Sequence, residues 1–255
     1  MTFTDPPGRA FVVAAGSITG ADHLRLGRDG QDGLAVLAGT ASTIAVVTDG
    51  CSSAPFSEVG ARLGAVWLAH ATEDHVVRHG VSDATAGTVH GRLLRALRAL
   101  VRGAARDRAA FIADYLLFTY LVAVVDEASV LVFGVGDGAF AVDARVEILD
   151  AGEENMPAYA GYALLPGLAC PAPVTHVHGA AAAIHSVVIA TDGASHLLGA
   201  PDLSPSRVAR NPSLLRKALL RARDAGEVLD DATCVAIVRP GSHGPAAALP
   251  PAVAS

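Results

Sequence analysis

The sequence lacks most of the signals that announce a common chemistry. No uninterrupted apolar run approaches the ~18 residues of a membrane-spanning helix. The longest, Leu116 to Val125, has strand length, so no membrane partner is expected. The opening MTFTDPPGRA has no basic stretch followed by an apolar one, so no secretory leader is expected. There are three cysteines, Cys51, Cys170 and Cys234, widely spaced and without a CxxC pair. That excludes a zinc knuckle or a disulfide framework and fits reduced thiols in the cytoplasm. Lys217 is the only lysine, and it lies in the helical stretch LLRKALL, so a phosphate-binding P-loop is excluded. GVGDGA at Gly134 is followed by the strand-like FAVDARVEIL rather than a helix, which removes the dinucleotide-binding reading. GASHL breaks the serine-hydrolase elbow at Leu197. A cysteine phosphatase loop at Cys51 would need an arginine where Ser57 stands, and the ten histidines form no HExxH; His70, His75 and His79 read as a solvated helix face. Net charge is −6, which argues against nucleic acid as a partner.

What the chain does have is core. Hydrophobic residues make up 51% of it, enough for a sizeable interior. Short runs rich in Val and Ile predict strands at 10–17, 34–37, 43–48, 116–125, 129–134, 139–142, 146–149, 186–191 and 233–239. Two long helical patterns occupy about 57–78 and 86–105. The first carries Val59, Leu63, Val66 and Trp67 on one face, the second Leu93, Leu94, Leu97 and Val101. Shorter helices lie between Ser204 and Ala225, broken at Pro212, with Asn211 as a candidate cap for the second. Strands and helices do not alternate, so an antiparallel α+β protein is expected, with helices covering sheets that pack on each other. Residues 1–239 read as one domain and the Pro/Ala-rich stretch 240–255 as a disordered tail.

Asp-Gly occurs at Asp29, Asp32, Asp49, Asp137 and Asp192. Any one of these is an ordinary turn. The set has a grammar, however: IAVVTDG and VVIATDG both run from an apolar strand into Thr-Asp-Gly, VLVFGVGDG follows a third strand, and LDDATCVAIV sets two carboxylates before a fourth. With antiparallel neighbours, Asp49, Asp192 and Asp230 would share one sheet edge. Carboxylates gathered there repel and their pKa values rise unless a cation intervenes. All-oxygen ligation suits Mg²⁺ or Mn²⁺ rather than zinc.

HLRLGRDGQDG, VVTDGCSSAPFSEVGARLGA, FTYLVAVV, VFGVGDG, VIATDG and DDATCVAIV occur in an order that resembles the metal-dependent protein phosphatase family (type 2C), in its short bacterial form, over about 16–239. The resemblance implies a four-layer αββα sandwich, two antiparallel sheets face to face between helix pairs, with a two-metal site at one end. It implies that Asp49 bridges the metals, that the Gly50 carbonyl binds the second, and that Asp192 and Asp230 complete the first. Asp231 stands where many relatives carry asparagine. Gln31-Asp32 matches a pair that holds metal-bound waters, and Asp137 an aspartate of a third, weaker metal. The implied reaction is hydrolysis of phosphoserine or phosphothreonine in a protein substrate, the product of a serine/threonine kinase, by water attacking phosphorus in line.

The match departs in places. Cys51 stands where many relatives have a histidine that acts as general acid. The phosphate-binding arginine corresponds to Arg28 with a one-residue offset, and Arg25 and His23 are alternatives. Leu117-Phe118-Thr119 replaces a small-residue motif, and the segment between Asp192 and Asp230 leaves little room for a large substrate flap. Arg92, Arg95, Arg98, Arg102 and Arg106 form a basic helical stripe, either a solvated face or a docking face for an acidic or phosphorylated partner. Two other functions are compatible with the same motifs: a phosphatase of a small phosphorylated metabolite, and a non-enzymatic binding module.

Overall fold

The computed structural model describes residues 11–39, 41–104, 106–152, 156–200 and 203–240. Of the tail expected at 240–255, residues 241–255 lie outside them. Among the described residues ten strands form two five-stranded antiparallel sheets. One sheet has the order β1 (Val12–Ile18), β10 (Ala232–Val238), β9 (Ser186–Ala190), β6 (Gly138–Val142) and β7 (Arg145–Leu149). The other runs β2 (Gly33–Ala38), β3 (Ser42–Gly50), β4 (Phe118–Asp126), β5 (Ser129–Val135) and β8 (Val174–Ala180).

The central strands read as continuous apolar runs because both their faces are buried. In β3, Ile44 and Val46 turn outward to a helical layer, while Ala45 and Val47 turn inward to the other sheet. Val235, Ile237, Val187 and Ile189 meet them from the first sheet. That sheet's outer face, with Ala14, Cys234 and Ala236, packs under α6 (Pro205–Arg210) and α7 (Ser213–Asp224) through Val208, Leu215 and Leu219. The result is the expected order of helices, sheet, sheet, helices.

The helical layer on the second sheet is an antiparallel pair, α2 (Ser57–His79) and α3 (Ala84–Ala104). Gly80, at φ 71, ends α2 and its N–H bonds Val76 O. In α3, Leu93, Leu94, Leu97 and Val101 are buried as the pattern predicts. Each buried leucine is worth about 1.5–3 kcal/mol, which outweighs the roughly 0.5–1 kcal/mol that each interior glycine (Gly87, Gly91) costs a helix.

The face expected for α2 is wrong. Val59, Leu63 and Val66 are 47–50% exposed, and Trp67 is only half-buried. The buried face is instead Gly60, Ala61, Gly64, Ala65 and Leu68. The reason is close approach: a side chain at Gly60 would collide with the Tyr115 carbonyl, and one at Gly64 would stand 2.7 Å from the Phe118 ring. His75 is buried as well, against the expected solvated histidine face; His70 and His79 are exposed. Strand β8, helix α1 (Ala21–Leu26), helix α4 (Arg108–Tyr115) and the one-turn α5 (Asp192–Ser195) are additions to the predicted elements. Asn211 does not cap α7 with its side chain; its Oδ1 accepts a hydrogen bond from Ser213 Oγ at 2.7 Å.

Candidate active site

Register brings the strand ends together. β2 pairs with β3 from Gly33 opposite Thr48, and β9 with β10 from Ala190 opposite Cys234. The carboxyl ends of β3 and β9 and the amino ends of β2 and β10 therefore lie on one edge, as does the β5–β6 turn. That edge carries Asp49, Asp192, Asp32, Asp230, Asp231 and Asp137. Thr191 ends β9's run and donates its hydroxyl to Asp32 Oδ2 at 2.9 Å, while the Thr233 N–H bonds Thr191 Oγ1.

The electrostatics report the crowding. Burial first, then the charges of Asp32, Asp192 and Asp137, push the Asp49 carboxyl well above the usual range. Asp32 is raised by burial and by Asp231 and Asp192, against hydrogen bonds from Thr233 and Thr191. Burial and Asp192 push Asp137 up to about 6. Asp230 is raised by burial and by the charges of Asp192 and Asp231. Neighbouring guanidinium groups do not neutralise the cluster. Arg28 reaches Ala54 O at 3.5 Å, Arg62 bonds Gly30 O at 2.7 Å, and Arg25 pairs with Asp22 out in solvent. Asp32 Oδ1 and Asp137 Oδ1 are buried without a hydrogen-bond partner. Unpartnered buried carboxylate oxygens are costly, and hard divalent cations fit such a donor set.

The two adjacent carboxylates differ. Asp231 is 3% exposed and accepts from Gly20 N at 2.8 Å, from His23 Nδ1 at 2.9 Å, and from Gln31 N. It ties α1 and the approach to β2 onto the start of β10. Gly20 and Gly193 are glycines because any side chain would collide with the backbone of Asp230 and Asp231. Asp230 is about half exposed and accepts only the Asp231 N–H among the hydrogen bonds at this edge. His23, Asp230 and Asp231 cluster closely enough to suggest a metal site, but the hydrogen bonds already engage Asp231. His23 is held to this clamp.

Gln31 does not join Asp32 at the cluster. Its Nε2 bonds Ser57 Oγ at 2.7 Å and Ala54 O at 2.9 Å, bracing the loop after Gly50. A side chain at Gly50 would stand 2.7 Å from Ser57 Oγ and 2.8 Å from Gln31 O, so the loop needs glycine there. Burial raises the Cys51 thiol, but hydrogen bonds with Ser53, Tyr159 and the loop backbone outweigh it and leave the thiol below its ordinary value. Tyr159 is a site residue with no motif in the sequence. It comes from the segment between β7 and β8, meets Cys51, and feels the charges of Asp49 and Asp137; burial and these neighbours push its phenol far up. One wall beside the cluster thus comes from the segment that carries Tyr159 and Tyr162. Thr191 and Thr233 are further supports; both stood in plain view beside the aspartates in TDG and DDAT.

The protein phosphatase 2C family model matches residues 19–228, so the chain belongs to that family, which makes it a phosphatase of the serine/threonine type. Solved structures share the fold at low identity. The serine/threonine phosphatase Stp1 of Staphylococcus aureus is 13% identical, with a TM-score of 0.60 over 94% of this chain and 100% of that one. A serine-threonine phosphatase 2C from Toxoplasma gondii is 17% identical, with a TM-score of 0.58 over 92% and 96%. A sex-determining protein of C. elegans is 14% identical, with a TM-score of 0.62 over 90% of this chain and 65% of that one. No curated protein matches the chain in sequence.

Proposed function

We propose that the protein hydrolyses phosphoserine and phosphothreonine in protein substrates, using Mg²⁺ or Mn²⁺ at the carboxylate edge. The observation that carries this reading is the set of converging carboxylates whose buried oxygens, Asp32 Oδ1 and Asp137 Oδ1, have no partner. Asp49, the Gly50 carbonyl, Asp192 and Asp230 would hold two ions, and Asp137 a third, weaker one. Such ions would lower the pKa of a water and neutralise phosphate charge.

The chain's own groups do the rest. Asp32, fixed through Oδ2 by Thr191, keeps Oδ1 open to accept a hydrogen bond from the water that attacks phosphorus. Arg28 rests on Ala54 O at the outer limit of hydrogen bonding and would be free to turn to a phosphoryl oxygen. Arg25 is engaged with Asp22 and His23 with Asp231. Cys51 and Tyr159 flank the cluster without being needed as acids, and solvent protonates the leaving alkoxide. Unpaired thiols at Cys51, Cys170 and Cys234 fit a reducing, cytoplasmic setting, and no helix among the described residues is long and apolar enough to cross a membrane. The substrate would be the product of a serine/threonine kinase there.

The test is phosphate release from a phosphoserine peptide and from p-nitrophenyl phosphate, with and without Mn²⁺, alongside calorimetric Mn²⁺ titration. Metal-dependent turnover of both substrates is expected. Mn²⁺ binding without turnover would make the protein a binding module. Turnover of small phosphate esters alone would point to a phosphorylated metabolite.

A further inference from the structure

The arginine stripe of α3 is not explained by the site, and its position gives it a use. Residues 84–106 contain five arginines and no Asp or Glu, in a chain of net charge −6. Arg92 leaves the stripe, bonded to Asp74 at 2.7 Å and to Ala71 O. Arg95, Arg98, Arg102 and Arg106 are exposed, as is Arg108 at the start of α4. Asp107, between them, is engaged in capping α4 through Ala110 N at 3.0 Å.

The stripe leads to the carboxylate edge by two routes. Arg98 reaches Ala163 O at 3.4 Å, on the 3-10 turn Ala160–Leu164 that follows Tyr159. α4 runs from Arg108 to Tyr115, where Phe56 N bonds Asp114 O and Cys51 N bonds Leu117 O. Along α4 three rings stack in a row: Phe111 on Tyr115 at 4.9 Å and Tyr115 on Phe56 at 4.9 Å, with Phe56 44% exposed. An eight-residue helix is about 12 Å long, and an extended peptide spans about 3.3–3.6 Å per residue. A substrate chain leaving the site would therefore cross the ring ladder for about four residues before it met the arginines.

We propose that this surface docks the flank of a phosphoprotein substrate, with apolar residues next to the phosphoserine on the ladder and a run of Asp and Glu four to eight positions away on Arg95, Arg98, Arg102, Arg106 and Arg108. The inference rests on the phosphatase reading and assigns its substrate class. Exposed ion pairs are individually weak and fade with salt, so several acting together set a preference rather than an absolute requirement.

The experiment compares a phosphoserine peptide bearing four acidic residues at those positions with the same peptide carrying glutamines, by kcat/KM and by fluorescence anisotropy. The proteins are wild type, the Arg95→Glu/Arg102→Glu/Arg106→Glu variant and the corresponding triple Lys variant. For wild type at low salt, the acidic peptide should be preferred about tenfold, collapsing at 0.5 M NaCl. The triple Glu variant should lose the preference while retaining p-nitrophenyl phosphate turnover, and the triple Lys variant should keep most of it. Equal kcat/KM and equal binding of the two peptides would overturn the proposal. So would tighter binding of oligo(U) RNA or phosphatidylserine vesicles than of the acidic peptide. If no substrate is turned over, the phosphatase reading has failed; the anisotropy comparison alone then decides the docking surface.

Discussion

Two parts of the same sheet edge treat their carboxylates in opposite ways. At the start of β10, Asp231 is surrounded by donors, from Gly20, His23 and Gln31. A few residues away in space, Asp32, Asp49, Asp137, Asp192 and Asp230 crowd one another, and burial with mutual repulsion raises Asp32, Asp49, Asp137 and Asp230. A carboxylate with its hydrogen bonds made holds the backbone together. Carboxylates left short of donors are a standing cost to the bare protein, which a bound cation would relieve. Counting donors thus separates a clamp from candidate ligands even for neighbours in sequence.

The strongest way to break this contrast is at its centre. Asp49→Asn should lower kcat by more than about 10³-fold, since one neutral amide cannot serve two cations. In EDTA it should melt no lower than wild type, because it removes a repelled charge. Phosphate release and circular-dichroism melting together check this; near-normal turnover would remove Asp49 from the site.

Asp230→Ala and Asp231→Ala should then fail differently. Asp231→Ala leaves buried backbone donors unsatisfied, at about 1–3 kcal/mol each, and should lower stability by roughly 3 kcal/mol in urea unfolding. Asp230→Ala should leave stability nearly unchanged while abolishing metal-dependent turnover. A reversed pattern would exchange their roles.

A third test uses pH. Asp137 rises from its ordinary 3.8 to about 6 in the folded state, so the folded protein binds this proton more tightly than the unfolded chain does. Its contribution is therefore favourable below about pH 4 and is lost as pH rises to about 6, a change of order 2–3 kcal/mol. Asp32, Asp49 and Asp230 act in the same direction. Metal-free protein should lose stability over that window. Asp137→Asn should flatten the profile in urea unfolding with EDTA, and Mn²⁺ should restore stability at pH 7.

The smallest effect is expected at Cys51. General acid catalysis contributes about 10²–10⁴-fold where it operates. If solvent protonates the leaving group, Cys51→Ser should lower kcat on a phosphopeptide by less than about tenfold, and by less still on p-nitrophenyl phosphate. Cys51→His should match or exceed wild type on the phosphopeptide. A hundredfold loss confined to the phosphopeptide would make the thiol the acid.

The sequence by itself determined the two-sheet core and the identity of the clustered aspartates. Both are written in local patterns: apolar runs of strand length, and carboxylates at their ends, as Asp-Gly at Asp32, Asp49, Asp137 and Asp192 and as Asp-Asp before the last strand. It carried less about short or half-exposed elements. β8, VTHVHGA, is an exposed edge strand with histidines breaking its pattern, and α1 and α4 have six and eight residues, too few for a period to declare itself. On α2 the pattern misled, because hydrophobicity marked Val59, Leu63 and Val66, whereas close approach to the sheet selected glycine and alanine. Only the tertiary structure separated Asp231 from Asp230, turned Gln31 away from Asp32, and brought Tyr159 to Cys51. Each of these depends on which donor lies within about 3 Å across tens to hundreds of residues of chain, and no periodicity along the sequence encodes that distance.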